Sequence, residues 1–306
     1  MKSGATESNY VYLSKYLEFP KEVHVSHSPQ KLAVSTAPIK IIWSQHSYDQ
    51  PCYLNFDHTT VDCIVCPSQW LKQQFVKYHK IPEHKLVVIP NGVSDKFKYS
   101  EKKTKTLIHT SIPYKGLALL TKIFPLVRQA HPDCELKIFS SMSLYSEVTE
   151  DPYVEVYSQL IRMPGVLYNP AVDSDLLVEH YQSSALFVHP NIWEETACVS
   201  LMEAQRSGCY PILSDIGALS ETSGELATLV PMDGVQTTSG WRVTDHFINT
   251  FAQAVIDALD HFDKNRSFYD EISRQCALHA ARNHDWSVVA EQWKKLLRNL
   301  DEKVRR

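Results

Sequence analysis

Short apolar runs alternate with amphipathic stretches along this chain. That alternation is the pattern of parallel α/β domains, in which each strand returns through a covering helix. Strands are expected at 22–26, 40–43, 106–110, 135–139, 166–168, 186–189 and 210–213, with an extended stretch at 85–89. Helices are expected at 8–17, 117–130, 153–162, 175–183, 247–262 and 267–283, and 69–78 is amphipathic. A second α/β series therefore begins near Thr106, giving two unequal Rossmann-like halves. A chain of 306 residues has room for both. Residues 286–303 put Trp286, Val289, Trp293, Leu296, Leu297 and Leu300 on one face of a last helix.

Charge and composition narrow the class. The formal charge is −4, with acidic and basic residues interspersed, so no nucleic-acid surface is expected. No apolar run approaches the roughly 18 residues of a membrane span. The first residues lack the apolar core of a signal peptide, so a soluble, cytoplasmic protein is expected. Seven cysteines in a chain this long fit free thiols in a reducing compartment. Cys63 and Cys66 have CxxC spacing, but in a strand-like run residues three apart point to opposite faces. No metal or redox use is expected of them.

The segment 190–208 carries the chemistry. It follows the strand-like run 185–189 and enters a short helix from about Cys198 that Gly208 ends. Glu195 then lies in the loop at the helix entrance and Glu203 a couple of turns inside. The free N–H groups of a helix start suit a phosphate, whereas carboxylates accept hydrogen bonds from hydroxyls. Together they suit a sugar joined to a diphosphate. Taken alone, the same spacing also fits a strand, a turn and a helix with surface glutamates.

Residues 195–212, E-T-A-C-V-S-L-M-E-A-Q-R-S-G-C-Y-P-I, followed by Asp215-Ile-Gly-Ala-Leu-Ser-Glu221, resemble the donor-site motif of family 4 glycosyltransferases. These are retaining enzymes of the GT-B fold that use nucleotide sugars. Residues 85–93, K-L-V-V-I-P-N-G-V, look like the family's hinge strand, and 62–68, D-C-I-V-C-P-S, like the strand before it. The stretch 110–120, T-S-I-P-Y-K-G-L-A-L-L, occupies the place of the phosphate-binding basic residue. The resemblance spans about residues 3–300. It implies an α/β protein of two Rossmann-like domains facing a cleft, the N-terminal one reduced. Residues 1–94 with the terminal helix 286–306 would form the acceptor side, and 95–285 the donor side. Only about 90 residues precede the hinge, and no strand comes before the glycine-rich loop at Ser3-Gly4, so the first strand is either lost or the sequence begins late.

Roles follow from the resemblance. Glu195 takes sugar hydroxyls, Glu203 takes ribose hydroxyls, and the backbone around Thr196, Ala197, Cys198 and Val199 meets sugar and phosphate. Lys115 balances the diphosphate, with Ser111 or Thr110 where relatives carry a second basic residue. His46 follows the strand 40–43 and reaches the donor sugar, a surface or capping role being the bland alternative. Met163 to Tyr168 border the base. Asp173-Ser-Asp175 has the spacing of a metal-binding DxD signature, but it immediately precedes an apolar-periodic helix and is read as an N-cap. Neither metal nor cofactor is expected beyond a nucleoside-diphosphate sugar, UDP or GDP undetermined. The partners expected are that donor and a glycan or glycoconjugate acceptor, with self-association through the reduced N-terminal half. The function implied is retaining sugar transfer to a hydroxyl. Nucleotide-sugar epimerases, phosphorylases of the same fold and an eroded donor-binding scaffold are the alternatives, because fold alone does not fix function.

Overall fold

The computed structural model describes residues 5–144 and 151–304. The first unit runs α1 (Ala5–Leu13), β1 (Val23–Ser26), α2 (Pro29–Ala33), β2 (Ile39–Trp43), β3 (Cys63–Cys66), α3 (Gln69–His79) and β4 (Leu86–Val88). The second opens with β5 (Thr104–Thr110), α4 (Leu120–Ala130), β6 (Glu135–Phe139), α5 (Val154–Arg162), β7 (Val166–Asn169) and α6 (Ser174–Ser183). It continues with β8 (Ser184–His189), α7 (Val199–Arg206), β9 (Tyr210–Asp215), α8 (Leu219–Ser223), β10 (Thr228–Pro231), the hairpin β11 (Gly234–Thr237) and β12 (Gly240–Val243), and α9 (Asp245–Lys264). Last come α10 (Arg266–His284) and α11 (Trp286–Val304).

β1 to β4 form one sheet in chain order, all pairs parallel. Parallel strands are covered on both faces, and β3 is buried throughout for that reason. Its two cysteines separate as the alternation requires: Cys63 packs with Trp43, Trp286 and Trp293, and Cys66 with Leu71 and Phe75 of α3. One face of the sheet is thus covered by α2 and α3. The other is covered by α11, the last helix of the chain, with Trp293 edge-on to Trp43 at 4.9 Å. On the way back from α10 the chain passes its own outward crossing, and the Val93 amide donates to the His284 carbonyl at 2.6 Å.

The second sheet has the order β10-β9-β8-β5-β6-β7, every pair parallel. The chain builds outward from β5 to β7, then returns to lay β8 on the other side of β5. That reversal leaves a crevice at the carboxyl ends of β5 and β8, where open α/β sheets bind ligands.

Several boundaries differ from expectation for local reasons. Gly116 takes a left-handed φ of 95°, so the predicted helix 117–130 starts as a 3-10 turn at Leu117–Leu119 before α4. The first helix is α1 at Ala5–Leu13, earlier than 8–17, and the Ser3-Gly4 loop lies outside the described residues. α2, α8, β10 and the β11–β12 hairpin were not anticipated. Each has only four or five residues, too few to display a period, and β11 is largely exposed.

Candidate active site

Lys115 lies on the loop after β5, and Glu195 on the loop after β8, so the switch point brings together residues 80 positions apart. Both carboxylate oxygens of Glu195 accept from the Lys115 ammonium at 2.8 Å. His189, the last residue of β8, is fully buried and places Nε2 3.4 Å from Glu195 Oε1. Burial pushes the Glu195 carboxyl up, but Lys115 and His189 outweigh it and hold the group down at about 2. Burial also drives His189 below the usual imidazole range, so it is neutral at neutral pH. An ammonium has three N–H donors and a carboxylate about four acceptor positions. After pairing, Lys115 keeps a donor for an anion, and Glu195 keeps acceptor capacity for hydroxyls.

Two glycines let this loop close. A Cβ on Gly116 would meet the Pro190 carbonyl oxygen at 1.9 Å, and one on Gly217 would meet the Glu195 amide nitrogen at 2.4 Å. The Ala218 amide donates to the Glu195 carbonyl at 2.8 Å. The loop after β8 is therefore held at Pro190 by the loop after β5 and at Glu195 by the loop after β9.

α7 starts just beyond, with Cys198 at its N-cap and no side chain capping it. That leaves amide donors and a partial positive charge beside Lys115 and Glu195. Glu203 lies in the second turn of α7, accepting from Ser174 Oγ at 3.0 Å. With no cation among the causes of its shift, burial pushes its carboxyl up to about 7. Below that value Glu203 is protonated and one of its oxygens carries a donor, whereas above it both oxygens accept. If Glu203 takes ribose hydroxyls, as the resemblance implies, nucleoside diphosphate affinity should fall up to about tenfold as pH drops from about 8 to about 6. Calorimetry of the wild type against Glu203→Gln checks this. The phosphate's own titration is common to both proteins, so an equal slope in the two would remove Glu203 from the site.

Other predicted residues divide. Thr196 and Ala197 lead into α7, which Val199 opens, and Ser111 follows β5 with its carbonyl accepting from Ser140 Oγ at 2.5 Å. Tyr168 stands near the carboxyl end of β7, its hydroxyl donating to the Ser140 carbonyl at 2.7 Å. Met163 does not join them. It precedes β7, at the opposite end of the strand and about 10 Å or more from the crevice, and packs against the core of the second unit. His46 is exposed on the loop after β2. Two residues further along that loop, Tyr48 donates its hydroxyl to Glu194 at 3.1 Å, so the loop does face the second sheet. Asp173 holds the N-cap position of α6 without a capping bond from its side chain, and Asp175 pairs with Lys96.

His189, Tyr48 and Glu221 receive no role from the sequence alone, although Glu221 ends the motif that carries the resemblance. Glu221 accepts from the Gln69 and Trp70 amides at 2.6 and 2.9 Å, capping α3 from the other unit. His189 did carry a signal, since it ends a strand immediately before a proline.

Two Rossmann-like sheets that meet at their carboxyl edges around such a crevice have the GT-B architecture. Residues 104–261 match the family model described as glycosyl transferases group 1, and residues 16–97 match the one described as glycosyltransferase family 4. The chain belongs to the family 4 glycosyltransferases. Among curated relatives, it is 23% identical over 252 residues to the gpi3 subunit of phosphatidylinositol N-acetylglucosaminyltransferase of Schizosaccharomyces pombe, covering 79% of this chain and 50% of that one. It is 27% identical over 219 residues to the phosphatidyl-myo-inositol mannosyltransferase of Mycobacterium tuberculosis, covering 67% and 52%. The chain thus spans about half the length of these relatives. A pneumococcal O-GlcNAc transferase, solved with UDP and GlcNAc, shares the fold with a TM-score of 0.65 at 18% identity, over 98% of this chain and 60% of that one. No helix among the described residues is long and apolar enough to cross a membrane.

Proposed function

We propose that the protein is a retaining, metal-independent glycosyltransferase that moves a sugar from a nucleoside-diphosphate sugar to an acceptor hydroxyl. The observation that carries this reading is the Lys115–Glu195 pair at the switch point, beside the uncapped start of α7. In this reading residues 95–285 hold the donor, and residues 1–94 with helix 286–306 form the acceptor side. The diphosphate lies against the α7 amides and the remaining Lys115 donor. Glu195 takes sugar hydroxyls, Glu203 takes ribose hydroxyls, and Tyr168 borders the base. Ser111 lines the phosphate side, and His46 approaches the sugar from the first unit.

As the glycosidic bond to the diphosphate lengthens, negative charge grows on the leaving oxygen. The ammonium and the helix start are already positioned for it, which is the electrostatic form of catalysis. The acceptor hydroxyl attacks from the face that the diphosphate leaves, and a donor phosphate oxygen receives its proton. The configuration at the sugar carbon is thereby retained.

Both curated relatives are named for phosphatidylinositol, which makes that lipid the first acceptor to try. The test is incubation with a panel of UDP- and GDP-sugars in excess EDTA, with and without acceptor. Slow hydrolysis of one donor, faster with acceptor and unaffected by EDTA, is the expected result. Interconversion of sugars would indicate an epimerase, and inertness towards every donor a scaffold. Activity that returned only with manganese or magnesium would refute metal independence.

A further inference from the structure

We propose that His189, Glu195 and Cys198 also form a soft-metal site, in which one Zn²⁺ replaces the Lys115 ammonium at Glu195 and blocks the donor site. The ion is an inhibitor of this site, not a requirement. Among the described residues this is the one group of three such side chains close enough to share an ion. All three are buried, and one ligand atom from each lies within 4.8 Å of the others.

The donor set is zinc's own: imidazole nitrogen, carboxylate oxygen and thiolate sulfur, three protein ligands with a fourth position open. Nitrogen and oxygen ligands at roughly 2.0–2.1 Å from a tetrahedral zinc stand about 3.3 Å apart. His189 Nε2 and Glu195 Oε1 are 3.4 Å apart, so this edge already has the required length. With a zinc–sulfur distance of roughly 2.3 Å, the thiol need close by no more than about 1 Å.

Charge balances. The site now holds one ammonium, one carboxylate and a neutral thiol. With Zn²⁺ bound it holds a dication, a carboxylate and a thiolate, again neutral, and the thiol proton leaves to solvent. Burial and the Glu195 carboxylate push the Cys198 thiol up, so it is neutral until an ion arrives, and coordination itself drives off the proton. His189 Nδ1 has no partner, so the ring proton can move there from Nε2 without breaking another bond. Lys115 has a way out, since its side chain is 24% exposed.

The inhibitory consequence rests on the donor-site reading, but metal binding itself does not. The test titrates the full chain, freed of metal by chelation, with CdCl₂ while recording the ultraviolet spectrum, and with ZnCl₂ in a calorimeter. One Cd²⁺ per chain with a thiolate-to-metal charge-transfer band is expected. Cys198→Ser should lose the band and weaken Zn²⁺ binding at least about tenfold. Cys52→Ser should keep both, which matters because Cys52 is the one cysteine that is not buried. Zn²⁺ and a nucleoside diphosphate should exclude each other. A wild-type protein without the band, or a Cys198→Ser protein that retains it, overturns the proposal. Nucleoside diphosphate binding in chelated buffer tests the donor reading separately, because it does not depend on the Cd²⁺ result.

Discussion

Lys115→Ala is expected to lower sugar transfer by about 10²- to 10³-fold, the usual loss when one preorganised charge at a developing anion is removed. The variant should also be less stable, because Glu195 keeps only 6% of its side-chain surface exposed and loses its counter-ion. Breaking a buried pair from one side costs about 3 kcal/mol or more, and the partial exposure of Lys115 places this case at the lower end. Glu195→Gln in the same background should recover much of the stability and none of the activity. Glu195→Ala alone should reduce turnover about ten- to a hundredfold while leaving nucleoside diphosphate binding nearly intact.

Acid stability supplies a further readout. The Glu195 carboxyl lies near 2 in the fold against an ordinary value of 4.5, so its contribution is present above 4.5 and is lost as pH falls towards 2. Without Lys115 that acid-side loss should shrink. Denaturant melts across pH, paired with turnover, separate the two effects. A folded Lys115→Ala protein with near wild-type turnover would exclude the proposed role.

Removing residues 286–306 is expected to be as damaging, although every proposed donor-site residue remains. α11 contributes Trp286, Val289, Ala290, Trp293, Leu296, Leu297 and Leu300 to one face of the first sheet, each at most 8% exposed. At roughly 1.5–3 kcal/mol for a fully buried large side chain, the loss is on the order of 10 kcal/mol. Whole domains are stable by only about 5–15 kcal/mol. The truncated chain should lose activity, bind hydrophobic dyes and aggregate or self-associate. Light scattering and thermal melts check this. A monomer that melts like the full chain and still transfers sugar would mean that α11 does not brace the first sheet.

The sequence made some parts of this molecule legible and hid others for identifiable reasons. β5, β6 and β8 are five to seven residues long, each with an apolar centre such as Leu107-Ile108 or Ala185-Leu-Phe-Val188, in a regular αβ series, and pattern alone locates them. The placement of Glu195 before α7 and of Glu203 in its second turn was readable because the helix boundaries were. Pairing was not readable: nothing local says that Lys115 will hold both oxygens of a carboxylate 80 residues away. His189 looked like the end of an apolar strand, and its buried ring acquires meaning only beside Glu195. Met163 was misplaced because the interval to Tyr168 spans nearly a whole strand, whose two ends open on opposite sides of the sheet. His46 was placed on a strand end facing the other unit, yet the contact across the gap is made by Tyr48.

The cover that α11 gives the first sheet also bears on the order in which the chain can assemble. Residues made first ordinarily fold first as synthesis proceeds. Here β1 to β4 emerge early, but one whole face of their sheet waits for a helix ending at Val304. α3 waits too, since two of its leading amides find their acceptor in Glu221, about 150 residues downstream. The second unit can close its core while the chain is still growing. The first unit, begun before the second, is completed after it: its sheet stays half-covered until α11 has been made, and a ribosome stalled before Trp286 would hold it in that state.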